Sequence, residues 1–208
     1  SLGITYARLE RLDDALPHLT KAVGLGDQSG TTYGLLGYCW LGKGKHASAL
    51  QAYRNAQMTM PDVLDWKLGE AQCLQATEDH RAAARLFQEA LRMRPMDGQL
   101  WLHYGSAQLG LKNESEAVAA LEFSQRLGGL DGAALRTLGD LYLRLDLPDL
   151  ALTRYGEALN EGLGLVEALE ASSALASQRC SGRCGSVIKS FRRRLRIVSS
   201  NDLRRCCS

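Results

Sequence analysis

The residues of this chain best suited to catalysis or metal binding are four histidines and six cysteines among 208 residues. A structural zinc site takes its Cys and His ligands in pairs about two to four residues apart. Cys180 and Cys184 with the adjacent Cys206 and Cys207 do not repeat that spacing on both sides, and neither His18 nor His103 has a Cys or carboxylate partner at ligand spacing. His46 and His80 are separated by the same interval as Cys39 and Cys73, so each pair reads as one position occupied twice in a repeated unit. Gly42-Lys43-Gly44-Lys45 has the composition of a phosphate loop but lacks the Ser/Thr and the preceding strand that such a loop needs. No Gly-x-Ser-x-Gly elbow and no His-Glu-x-x-His pair occurs, and the carboxylates are scattered without a matched set. The expectation is a chain without enzyme activity, metal, cofactor or small-molecule substrate.

The spacing of the histidine and cysteine pairs is the period of the whole sequence. Ala15, Ala49, Ala83, Ala117 and Ala151 recur at that same interval. Four residues on stand Leu19, Tyr53, Phe87, Leu121 and Tyr155; three further on stand Ala22, Ala56, Ala90, Ser124 and Ala158. Upstream, Gly3, Gly37, Ala71, Gly105 and Gly139 form another small column. Self-similarity at a fixed period of this length is the mark of stacked repeats.

Each unit reads as two helices. In the fifth, Leu135, Leu138, Tyr142 and Leu145 keep a spacing of three to four residues, the pattern breaks at Asp146-Leu147-Pro148, and Leu152, Tyr155 and Leu159 resume it. Pro148 suits a first helical turn, where its missing N–H has no intrahelical partner. Antiparallel helices approach to about 8 Å only where the crossing carries Gly or Ala, and a large neighbour then fills the groove. One such hairpin cannot hide its apolar stripe alone, so stacked neighbours complete the core.

On these residues the sequence resembles the tetratricopeptide repeat family. The likeness rests on the 34-residue period, Trp101 with Tyr104-Gly105, Leu138-Gly139 with Tyr142, the small-large-small columns, and Pro61 and Pro95 closing the second and third units. The third unit departs, with Lys67, Glu70 and Ala71 where Trp, Leu and Gly are typical and a Leu68-Gly69 pair two residues early. That departure predicts a shifted first helix or a longer turn. The resemblance implies an all-α fold, an α-α superhelix (solenoid), whose first helices line a concave groove for a peptide or helix of a partner protein. Carried over by column, the groove residues are Tyr38, Leu41, Leu68, Gln72, Leu102, Ser106, Leu109, Arg136, Asp140 and Leu143, with Ile4, Gly34 and Gln75 in the same columns and Thr31, Asp65 and Gln99 at the rim. Some members grip a C-terminal carboxylate through Lys, Asn and Arg in these columns. That set is absent here, since only Arg136 and the nearby Arg144 are cationic, and apolar anchors with polar residues fixing register are expected instead.

Residues 1–178 carry about five and a half units, the first one truncated, and hold 16 Lys+Arg against 22 Asp+Glu. Residues 179–208 hold nine basic residues against Asp202 and four of the six cysteines. The array pattern fails there, because Lys189 and Arg192 occupy positions due a large and a small residue. Three readings of this segment stand: a flexible or capping tail, a frame-disrupted end, or a basic amphipathic helix around Val187, Ile188, Phe191, Leu195 and Val198 that contacts nucleic acid or membrane. The sequence opens on Ser1 with a helical pattern already running, which points to a start inside a larger protein; a repeat region that docks substrates for a larger enzyme is the alternative function.

Overall fold

In the computed structural model, residues 2–161 are described, and every regular element among them is an α-helix. Residues 166–178, where the sequence places the first helix of the remaining half repeat, and the basic segment 179–208 lie outside the described residues. First helices are α1 (Leu2–Arg8), α3 (Gly30–Gly42), α5 (Leu64–Ala76), α7 (Gly98–Gly110) and α9 (Gly132–Arg144). Second helices are α2 (Leu12–Gly24), α4 (His46–Thr59), α6 (His80–Met93), α8 (Glu114–Arg126) and α10 (Pro148–Asn160). Within each set, from α2 and α3 onward, every helix starts exactly one sequence period after the one before it. The chain divides into two compact units, Ser1–Asn113 with α1 to α7, and Glu114–Ser208 with α8 to α10.

Local chemistry sets the helix ends. Ser29, Asp79, Asp97 and Asp131 accept a hydrogen bond from a backbone N–H in the first turn of α3, α6, α7 and α9, satisfying donors that the helix leaves free. Pro148 begins α10, as expected for a residue without an N–H. The short turn inside each described repeat contains one left-handed residue: Glu10, Gly44, Glu78, Lys112 or Asp146. Exits from second helices differ. Gly26 and Gly128 carry positive φ after α2 and α8. Helices α4 and α6 run to 14 residues and leave through Met60 and Arg94, whose ψ of 71° and 69° lies outside the helical region that Pro61 and Pro95 disfavour for the residue before them.

In the first unit, consecutive helices pack on each other from α1 to α7, with α1 also on α3 and α3 on α5; in the second, α8 packs on α9 and α9 on α10. The repeat columns supply the core. Ala15, Ala49, Ala83, Ala117 and Ala151 are all fully buried, and the large residues four positions on are buried at 3% exposure or less. Sealing a ring such as Phe87 or Tyr155 away from water contributes about 1.5 to 3 kcal/mol. The small column faces the large one: a Cβ on Gly37 would lie 2.9 Å from the Tyr53 ring, and one on Gly139 2.6 Å from the Tyr155 ring.

The third repeat is not shifted. Helix α5 begins midway between the starts of α3 and α7, one period from each, and the turn after it is as long as its counterparts. Its unusual residues have other causes. Glu70, where Leu is typical, reaches the preceding second helix, accepting from Arg54 Nε at 2.9 Å and Gln57 Nε2 at 2.8 Å. Gly69 faces the hydroxyl end of the Tyr53 ring, and a Cβ there would stand 2.2 Å from the ring's Cζ. The displaced Leu-Gly pair thus makes room for a ring of the previous unit, while Ala71 keeps the small column in register and buried.

Candidate interaction surface

Residues three and four apart share one face of a helix, so each first helix presents a short stripe. In the first unit these are Tyr38 and Leu41 on α3, Leu68 and Gln72 on α5, and Leu102, Ser106 and Leu109 on α7. Tyr38 is 40% exposed although its chain neighbours Gly37 and Cys39 are buried. The other six are half-buried. Gly34, in the same columns, is closed off, because the Trp66 ring of α5 lies where its Cβ would be, 2.5 Å away. At the rim, Thr31 donates to Met60 Sδ at 3.8 Å and Asp65 pairs with Arg94 at 3.6 Å.

In the second unit the stripe on α9 is polar. Arg136 and Asp140 are half-buried, whereas Leu143 is only 7% exposed and belongs to the core. The Tyr155 hydroxyl donates to Asp140 Oδ1 at 2.5 Å, and Arg144 pairs with Glu114 at 2.7 Å. Of the two cations near this stripe, Arg144 is therefore already committed to a carboxylate.

Among the described residues, His80, His103, Cys39 and Cys73 serve packing. His80 lies against α7, where a Cβ on Gly110 would be 2.3 Å from its Cγ; the same corner pairs Leu12 with Gly42, and in the second unit Glu114 with Arg144. His103 stacks on Phe87 with ring centroids 5.4 Å apart, and burial holds its pKa below the ordinary value against the pull of Asp97. Cys39 and Cys73 are buried free thiols. Burial, aided by Glu70, pushes Cys73 up to about 11, which keeps it protonated and unreactive. In the Gly-Lys-Gly-Lys run, Gly44 carries the left-handed turn, Lys43 pairs with Asp13, and Lys45 lies 4.7 Å over the Trp40 ring. Among the described residues no cluster of three or more His, Cys, Asp or Glu is placed to hold a metal ion, and no helix is long and apolar enough to cross a membrane.

Trp66 over Gly34 and the Arg54–Glu70–Gln57 link were not foreseen from the sequence. The signals present were a Gly one period from Leu68 and two from Leu102, and an acid in a Leu column beside a second helix carrying Arg54.

The fold has known counterparts. MamA from residue 41 to its end, from Desulfovibrio magneticus RS-1, superposes with a TM-score of 0.69 at 14% identity, covering 76% of this chain and 90% of that one. TTC0263, a thermophilic TPR protein in Thermus thermophilus, matches with a TM-score of 0.59 at 23% identity, covering 84% of this chain and 96% of its own. No curated protein matches the sequence. With the tetratricopeptide repeat pattern matched over residues 1–62 and 68–126 and the helix pairs in place, the chain belongs to the tetratricopeptide repeat family, whose fold generally mediates protein–protein interaction.

Proposed function

We propose that the first helices capture an extended or helical segment of a partner protein, by recognition and without bond making. Tyr38, Leu41, Leu68, Leu102 and Leu109 act as apolar anchors in the first unit, with Gln72 and Ser106 fixing the ligand's register. On α9 of the second unit, Arg136 and Asp140 offer a polar stripe, with Leu143 supporting it from the core. The observation that carries the reading is Tyr38. An aromatic ring left 40% exposed between buried neighbours offers a large contact area at low entropic cost, as interface anchors do. The scarcity of cations argues against a carboxylate-gripping site, since a carboxylate needs several convergent donors to replace its water.

The test is affinity capture with the full chain and its Tyr38→Ala/Leu102→Ala double variant. Anchor truncations cost about 1 to 3 kcal/mol each, so recovery of bound partners should fall at least about tenfold while helicity by circular dichroism stays unchanged. Equal recovery of the same partners would sink the groove.

A further inference from the structure

All four methionines of the chain, Met58, Met60, Met93 and Met96, lie in the first unit where a second helix hands over to the next first helix. They are 83%, 38%, 61% and 79% exposed. Methionine is ordinarily among the more buried residue types, yet here none of the four contributes to the core.

About 100° round α6 from Met93 runs a basic stripe. Arg81, Arg85, Gln88 and Arg92 fall at i, i+4, i+7 and i+11 on α6, on the side away from the buried Ala83, Phe87 and Ala90 and edged by the buried Ala84 and Leu91. All four are exposed, and the stripe spans about 16 Å along the helix. Arg81, Arg85 and Arg92 have no ion-pair partner among the described residues, and the exposed Glu89, which lies between the stripe and Met93 round the helix, leaves the face net positive. The feature is particular to α6. The equivalent residues are Ala47, Gln51, Arg54 and Met58 on α4, with Arg54 already held by Glu70, and Asp13, Pro17, Thr20 and Gly24 on α2.

The composition points to one kind of partner. Arg and Met are enriched in the buried centres of protein interfaces while Lys is depleted there. Single-stranded nucleic acid is held by aromatic stacking platforms, and membrane-surface helices insert aromatic or leucine side chains; the stripe contains neither. We infer that the exposed face of α6 and its methionine-bearing end form a second docking surface, for an acidic amphipathic polypeptide segment whose carboxylates pair with Arg81, Arg85 and Arg92 and whose apolar side chains cover Met93 and Met96. Guanidinium groups suit this because their fork binds carboxylates bidentately, and thioethers adapt to varied apolar partners.

The methionines report on the surface themselves. The full chain, labelled with 13C at the methionine methyls, is titrated with a synthetic helical peptide bearing glutamates at i, i+4 and i+11 and leucines on the adjacent face. The Met93 and Met96 resonances should shift, and the Arg81→Gln/Arg85→Gln/Arg92→Gln variant, its fold checked by circular dichroism, should bind about tenfold more weakly. Attraction from the nine basic residues of 179–208 is common to both proteins, so the difference between them reads α6. The single Arg92→Gln variant should show part of the loss. Unmoved Met93 and Met96 methyls at saturation, or equal affinity in the triple variant, would overturn the proposal. So would a poly(dT) oligonucleotide or phosphatidylserine-containing vesicles moving the same methyls where the peptide does not, since the surface would then be one for phosphate groups.

Discussion

The hairpins α3–α4 and α9–α10, in different units of the chain, solve one steric problem in two ways. Both bring a glycine against a tyrosine, Gly37 with Tyr53 and Gly139 with Tyr155, and both bury that ring. Tyr53 is then enclosed by the following helix, with Gly69 at the tip of its ring and the Trp66 ring 6.4 Å away, and its hydroxyl makes no hydrogen bond among the described residues. Tyr155 instead donates to Asp140 on its own hairpin. The shared glycine fixes how closely the helices approach; the neighbourhood decides whether the ring is held by packing or by a polar bond. A repeat column therefore specifies a shape, while the stabilising chemistry varies from unit to unit.

Where the two hairpins agree, breaking either should cost the same. Ala49 and Ala151 are both fully buried at the helix crossing. Ala49→Asp and Ala151→Asp should each destabilise by about 2 to 4 kcal/mol, because a carboxylate is forced into a site with neither room nor partner. Chemical denaturation of the full chain checks this; a melting transition unaltered by either substitution would refute the alignment of these two columns.

That equivalence was legible in the sequence because it rests on side-chain size alone. The small and large columns named the helix pairs, the crossing residues and Pro148 as a helix start. The displaced Leu68-Gly69 pair misled, since periodicity shows that a small residue is needed but not which neighbour's ring it admits. Tyr53 comes from the previous hairpin, and a one-dimensional pattern does not register that contact. The left-handed turn residues escaped for a related reason: Glu10, Gly44, Glu78, Lys112 and Asp146 share a backbone conformation and almost no side-chain chemistry. On the interaction surface, the columns chose the helix faces but could not separate an exposed Tyr38 from a buried Leu143, because helical spacing gives direction and not depth.

The difference between the tyrosines should appear at a smaller scale. Tyr155→Phe removes a charge-assisted hydrogen bond and should cost about 1.5 to 3 kcal/mol, whereas Tyr53→Phe removes a hydroxyl with no protein partner and should stay within about 0.5 kcal/mol. Alkali sharpens the contrast. Burial raises both phenols above the ordinary value near 10, and Asp140 adds to the rise at Tyr155. A folded-state pKa raised above the unfolded one gives stability present below about pH 10 and lost as the pH climbs past it. The deficit of Tyr155→Phe relative to the parent should accordingly narrow by about pH 11. Equal deficits for both variants at neutral pH would show that Asp140 does not distinguish the two rings.

The smallest effect concerns the turns. Gly44 and Asp146 occupy the same turn position three periods apart, with φ of 69° and 59°. This left-handed region is open to glycine, and Asp reaches it at some cost. Gly44→Ala should destabilise by about 1 kcal/mol although nothing lies within 4 Å of the new Cβ, so the loss is one of backbone conformation. Asp146→Gly should stabilise by about 0.5 kcal/mol, the relief of strain exceeding the greater freedom of the unfolded chain. Opposite signs at two equivalent positions, measured by urea denaturation, isolate the turn conformation from every side-chain contact; the same sign at both would mean that the side chains at this corner, and not the left-handed backbone, set the energy of the turn.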